Sequence, residues 1–201
     1  MAAASRPPAQ FREPSLPGPA RLKAYNYGQP LDSHPEWPQP VFLGRLREII
    51  SGGQTGADQG ALKAGKDLGL KTGGWIPKGW RTLDGPRPDL GSDYGLKEHP
   101  QRSWPPRTEA NVRSSNATLW FGEEDSGGGR LTLRKAREHE RPHLVVPWRS
   151  GDPVPHAAGA ELRQWLGDNQ VAVLNVAGNR ESGQPGIEDA TRAFLVRALS
   201  G

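Results

Sequence analysis

The stretch Leu46-Arg-Glu-Ile-Ile-Ser-Gly-Gly-Gln-Thr-Gly-Ala-Asp58 decides how this 201-residue chain is read. Leu46–Ser51 is a short, mainly apolar run. The glycines that follow turn the chain, and Ala57, Ala61, Ala64 and Leu68 then recur at helical spacing until Gly69. That pattern is strand, glycine turn, helix. Working outward, a second strand is expected over Lys71–Ile76, followed by a long Pro/Gly-rich segment from Pro77 to Pro106. Three further units come next: Ala117–Phe121 with a helix from Arg130, His143–Val146 with a helix near Ala157–Leu166, and Val171–Val176 with a helix from Ile187. Strands alternating with helices imply a mostly parallel sheet covered on both faces, since parallel strands need crossovers that lie against the sheet. The fold class is therefore α/β, a doubly wound, Rossmann-like body over residues 46–201.

Residues 1–45 read differently. They hold nine of the 20 prolines without helical or strand period, and such a stretch cannot bury enough surface to offset its ordering entropy. A Pro-rich arm is expected there, largely disordered or extended, with Phe11, Tyr25, Tyr27 and Trp37 as docking points. The absence of Cys excludes disulfide scaffolds, thiolate metal sites and thiol nucleophiles. The net charge of +4 splits into +2 for the arm and +2 for the body, with no basic stripe for a phosphate backbone, so nucleic acid is not favoured. With no membrane-spanning run and no secretion signal, the sequence reads as a cytoplasmic protein.

In sheets of this kind ligands sit beyond the carboxyl ends of the strands, where strand order reverses. If the first strand lies beside Ala117–Phe121, the loops Gly52–Gly56 and Gly122–Gly129 form two walls of one site. Gly52, Gly53, Gln54, Thr55 and Gly56 let the backbone approach an anion at a helix N-terminus, with Asp58 one turn on. The loop has neither the lysine of a P-loop nor dinucleotide-binding spacing. The same residues also fit a plain tight turn with Thr55 as N-cap and Asp58 closing a capping box. Ser126, Gly127, Gly128 and Gly129 repeat the anion logic, although Glu123, Glu124 and Asp125 would repel an anion if they faced inward. Those acids face water, favour the helix N-terminus or assist a metal.

Arg107 near a helix start suits a bidentate clamp on phosphate or carboxylate, with Thr108 as cap and Asn111 one turn on; a plain surface helix fits equally. Arg180 and Ser182 leave the last strand toward the same edge, or else form a solvated loop. Lys78 and Arg81 could add charge from the long loop, while Trp75 and Trp80 either stack on a heterocycle or join the core. His139-Glu-Arg-Pro-His143 matches a zinc-protease motif in letters only, because Pro142 breaks the helix that must carry both His. No metal site is expected. His34, His99 and His156 are scattered in loops, and the sequon Asn116-Ala-Thr118 begins a buried strand.

The blocks Ile49-Ile-Ser-Gly-Gly-Gln-Thr-Gly-Ala-Asp58, Gly73-Gly-Trp-Ile-Pro-Lys-Gly79, Arg107-Thr-Glu-Ala-Asn-Val112, Ser126–Thr132 and Asn175-Val-Ala-Gly178, in that order, resemble the putative molybdenum carrier family. The resemblance covers about residues 46–200. It implies a Rossmann-like body related to lysine-decarboxylase-like phosphoribohydrolases, a homo-oligomer, and a pocket for molybdenum cofactor (molybdopterin) or a related nucleotide phosphate. It carries Gly52, Gly53, Gln54, Thr55, Arg107, Thr108, Ser126, Gly127 and Gly128 over as pocket residues. Two positions depart: Gly129 stands where the family usually has Thr, removing a hydroxyl that could bind phosphate. Asn179 stands where Pro is common, a change expected to alter loop stiffness. The leading expectation is a carrier of a phosphorylated small-molecule ligand. A nucleotide hydrolase using Glu109 or Asp58 as general acid/base, or a nucleotide-sensing module signalling through the arm, would use the same pocket.

Overall fold

The computed structural model describes residues 22–25 and 45–200; Phe11, Tyr27, His34, Trp37 and most of the Pro-rich arm lie outside the described residues. In chain order come β1 (Lys23–Tyr25), β2 (Glu48–Ile50), α1 (Ala57–Asp67), β3 (Lys71–Ile76), β4 (Arg81–Thr82) and β5 (Gly85–Pro86). There follow α2 (Asp89–Tyr94), β6 (Leu96–Glu98), α3 (Trp104–Arg113), β7 (Ala117–Phe121), α4 (Gly127–Glu138) and β8 (His143–Val146). A 3₁₀ turn at His156–Ala158, α5 (Gly159–Asp168), β9 (Val173–Gly178) and α6 (Ile187–Leu199) complete it. Among the described residues no helix is long and apolar enough to cross a membrane.

Among the described residues the main sheet has seven strands in the order β1-β8-β7-β9-β2-β3-β6. Every pairing in it is parallel except that of β1 with β8. Strand periodicity sorts the side chains. Ala117, Leu119 and Phe121 of β7 and Leu144 and Val146 of β8 enter the large core beside residues of α1, α5 and α6. Trp120 and Val145 point the other way and pack with Leu133 of α4. Both faces are thus covered, as the fold class requires. Each fully buried large side chain, such as Phe121 or Phe194, contributes about 1.5–3 kcal/mol.

The expected neighbour of the first strand is corrected. β9 stands between β2 and β7, with Leu174 beside Ile49 on one side and Val176 beside Leu119 on the other. Taken as the first strand of a doubly wound sheet, β9 restores the common order, β3-β2-β9-β7-β8. The strand at the centre of the sheet therefore comes last in the chain, so sequence order gives no hint of its place.

The long Pro/Gly-rich segment is also more structured than its composition suggests. It holds the β4–β5 hairpin, α2, β6 and the first turn of α3. Pro105 and Pro106 occupy that first turn, where a missing N–H costs nothing. Three residues of the arm join the sheet as edge strand β1, with Tyr25 stacked on His143 at 4.6 Å and Lys23 paired with Glu124.

Candidate functional site

The topological switch lies between β7 and β9, and a cleft of about 570 Å³ opens beyond their carboxyl ends. Its lining includes Trp120 and Glu123 from the end of β7, Ser126, Gly127 and Gly128 at the start of α4, and Gly178, Asn179, Arg180 and Ser182 after β9. Five of the expected site residues in the second half of the chain, Ser126, Gly127, Gly128, Arg180 and Ser182, thus meet in one place. Ser126 is the N-cap of α4, its Oγ accepting the Gly129 amide at 3.0 Å. The amides of Gly127 and Gly128 find no acceptor among the described residues, which leaves the positive end of α4 free for an anion.

The acidic run beside this cleft is held by other partners. Glu123 forms an ion pair with Arg149 at 2.7 Å and accepts from Gln184 Nε2 at 2.7 Å, and Glu124 pairs with Lys23. Gly129 does not line the cleft; a Cβ there would run into the Glu124 carbonyl. The 122–126 loop has settled into the volume a threonine would take, so the lost hydroxyl is a repacking and not a vacancy. Asn179 does more than tune stiffness. Its amide donates to Phe121 O at 3.1 Å and its Oδ1 accepts from the Glu123 amide, bonds that a proline could not donate or replace.

The first glycine loop takes a separate position. Thr55 is not the N-cap of α1: that residue is Gly56, at φ 95°, with no side-chain cap. A Cβ on Gly56 would sit 2.7 Å from Asn179 O, because the loop after β9 crosses here. The first helical amide, Ala57 N–H, donates to that same oxygen at 3.2 Å. The helix terminus expected to hold an anion is therefore partly satisfied by the chain itself. Gly53 turns its α-carbon toward Leu90, Leu96 and Ile76 of the small core. Gln54 is buried, its Oε1 accepting from the amides of Thr55 at 2.9 Å and Leu83 at 3.0 Å. Its Nε2 has no partner among the described residues.

Gly52 is the floor beneath a charged pair. A side chain there would overlap the Arg107 guanidinium and approach Asp58 Oδ2 at 2.7 Å. Arg107 and Asp58, both buried, face each other at 3.6 Å. Burial pushes the Asp58 carboxyl up from its ordinary value, opposed by Arg107 and by the Gln54 amide. Burial likewise lowers the Arg107 guanidinium, with Asp58 opposing and Arg180 adding to the effect. Arg107 stacks on Trp104, one turn earlier on α3, at 5.6 Å. Arg81 and Arg180 lie over the same ring at 5.2 and 5.6 Å. Arg180 thus belongs to both the cleft and this arginine cluster.

Thr108 does not cap α3, which starts at Trp104 with Ser103 as N-cap, because the helix extends back through the two prolines. Asn111 spends both ends of its amide on Trp75, accepting from its N–H at 2.8 Å and donating to its carbonyl at 3.0 Å. Lys78 is exposed on the loop after β3. Glu109 binds Lys135 at 3.1 Å and His139 at 2.8 Å, joining α3 to α4, and these two partners hold its carboxyl below the usual range. Trp80 packs on the small core, and Trp75 meets His99 edge-on. His139 ends α4 and His143 lies buried in β8. Sequence reasoning missed Trp104, Trp120 and Gln184. The one local signal was Trp104 placed three residues before Arg107, the spacing at which helical side chains meet.

Known proteins agree with this geometry. The model of the circularly permutated YpsA SLOG family matches residues 49–199, and permutation is what the central position of the last strand displays. No curated protein matches the chain. A solved structure, that of a putative molybdenum carrier protein from Syntrophus aciditrophicus SB, is 33% identical, with a TM-score of 0.70 over 78% of this chain and 96% of that one. Strand order, the crevice at the switch and the matched span together place this chain in the circularly permutated YpsA SLOG family.

Proposed function

We propose that the chain binds and carries a phosphorylated heterocycle, molybdenum cofactor or a related pterin or nucleotide, in the crevice between β7 and β9. The observation that carries this reading is the cleft itself. Its volume of about 570 Å³ lies within the range of small-molecule sites. Its polar groups converge on one kind of ligand. Gly127 and Gly128 offer amides at a helix N-terminus and Arg180 a guanidinium, while Ser182 offers a hydroxyl. Trp120 supplies an apolar wall. In molybdenum cofactor the phosphate would be held by these donors, and the group would bring its own metal chemistry. The Syntrophus protein's name supports a molybdenum-related ligand. The hydrolase reading loses its Glu109, which α4 engages, and keeps only Asp58, paired with Arg107.

The test is titration calorimetry of the full chain with molybdenum cofactor and with adenosine monophosphate. One-to-one binding is expected for at least one of them, weakened by about 1.5–3 kcal/mol in Arg180→Ala for a lost charged hydrogen-bonding partner. Ser126→Asp keeps a capping side chain and puts a carboxylate into the crevice, so it should abolish that binding. No binding of either probe, or binding indifferent to both substitutions, overturns the reading.

A further inference from the structure

The arginine cluster on Trp104 is not explained by the crevice. Among the described residues the side chains of Arg81, Arg107 and Arg180 donate no hydrogen bond. Their only shared contact is one indole ring, at 5.2–5.6 Å. Three like charges around one ring repel one another, and Asp58 is the single acid paired with any of them, at 3.6 Å from Arg107. Arg107 is 9% exposed and Gln54 5% exposed, yet among the described residues Arg107 Nε and Gln54 Nε2 have no partner. Buried donors are nearly always satisfied, and one left over asks what satisfies it. Two stand here, on residues that both meet Asp58 Oδ2, which accepts the Gln54 backbone N–H at 3.2 Å and faces Arg107. The Oε1 of Gln54 is fixed by Leu83, two residues from Arg81.

We propose that Arg81, Arg107 and Arg180, gathered on Trp104, form with Gln54 a second oxyanion subsite beside the crevice, built for a tetrahedral dianion such as phosphate or molybdate. The inference goes beyond the crevice reading and stands without it. Arg107 and Gln54 make a buried floor, while Arg81 and Arg180 are exposed and form the mouth. A tetrahedral dianion supplies acceptors on several sides at once, as three converging forks require, and neutralises the net excess of charge. A planar neutral ring would do neither. The cluster is held in place before any ligand arrives. Gly52 leaves room for the guanidinium of Arg107, and Pro105 and Pro106 stiffen the turn that presents Trp104. Arg180 lines the crevice as well, so one ligand bearing two anionic groups can reach both subsites through it.

Titration calorimetry of the full chain with sodium phosphate, sodium molybdate, adenosine monophosphate and adenosine 3′,5′-bisphosphate tests the proposal and separates the two sources of the dianion. Where a free oxyanion is the source, phosphate or molybdate binds one to one, and Arg81→Gln weakens it by about tenfold or more. Where the source is a second phosphate on the ligand, the bisphosphate binds at least about tenfold tighter than the monophosphate, and Arg81→Gln erases that advantage. Arg107→Gln should act in the same direction; because Arg107 is buried, the exposed Arg81 keeps the test valid if that variant fails to fold. Ser126→Asp should abolish monophosphate binding and spare the free oxyanion. Monophosphate failing while oxyanion binding depends on Arg81 refutes the crevice reading alone. The subsite is overturned if no free oxyanion binds and the bisphosphate gains nothing, or if Arg81→Gln leaves both affinities unchanged.

Discussion

Replacing Arg107 by Met should be among the most damaging single changes in this chain. The substitution keeps the stem that packs on Trp104 and removes the charge that faces Asp58 at 3.6 Å. At that distance, in an effective dielectric of about 20, the lost attraction is about 4–5 kcal/mol. The observable loss is set by the carboxylate left behind, because breaking a buried pair by removing one partner costs about 3–5 kcal/mol. Whole domains are stable by about 5–15 kcal/mol, so Arg107→Met leaves little reserve. Urea unfolding at pH 7, followed by tryptophan fluorescence, reads the loss directly. Adding Asp58→Asn should recover at least half of it, since the stranded charge then disappears. The pH dependence has a definite sign. Burial raises the folded-state value of Asp58 above its unfolded one, so its stability is fully present below the unfolded carboxylate value and lost as pH rises through the folded one. The loss should therefore shrink on going from pH 7 to pH 4.5. A cost below about 1 kcal/mol at pH 7, or no recovery in the double variant, refutes the description of a buried charge held chiefly by Arg107.

Three further outcomes are expected. Gly60→Ala should destabilise by about 1–3 kcal/mol in the same assay, because a methyl there meets the Glu188 carbonyl where α1 and α6 pack; a neutral result would mean that the two helices can part freely. Ser126→Ala should cost about 0.5–2 kcal/mol for the cap on Gly129, and an unchanged urea midpoint would refute it. His143 sits below its ordinary value through burial, so its contribution is present above the unfolded value and lost as pH falls through the folded one. Histidine→phenylalanine at position 143 should flatten the change in Tm between pH 7 and pH 5, and a slope equal to wild type contradicts that.

Local pattern carried most of the elements, and long-range pairing supplied what it could not. β7 and β8 were legible residue for residue because their mainly apolar runs end at glycine or proline, and β3 because it lies between the Gly69 turn and Pro77. α4 was expected from Arg130 and starts at Gly127, since three glycines look like a loop until the Ser126 cap is counted. The helix expected near Arg107 was legible, and only the first turn of α3 was hidden, by prolines that a first turn accepts. The order of strands was misjudged because nothing local marks Val173–Gly178 as central. The site divides in the same way. Ser126, Gly127, Gly128, Arg180 and Ser182 were legible from glycine loops and strand ends. The convergence of Arg81, Arg107 and Arg180 on Trp104 joins three elements far apart in sequence, and only the fold brings them together.

The place of β9 has a consequence for how the protein is made. Until that strand leaves the ribosome, the nascent chain has only the strands of two half-sheets, β2-β3-β6 and β7-β8, and the edges that β9 will join both lack their partner. Translation from β8 to the end of β9 takes a few seconds at about 5–20 residues per second, and for that interval two apolar, unpaired edges are exposed together. Their registration waits on the strand most distant from β2 in the sequence. Any shielding that those edges need is therefore needed during synthesis, while the centre of the sheet has yet to arrive.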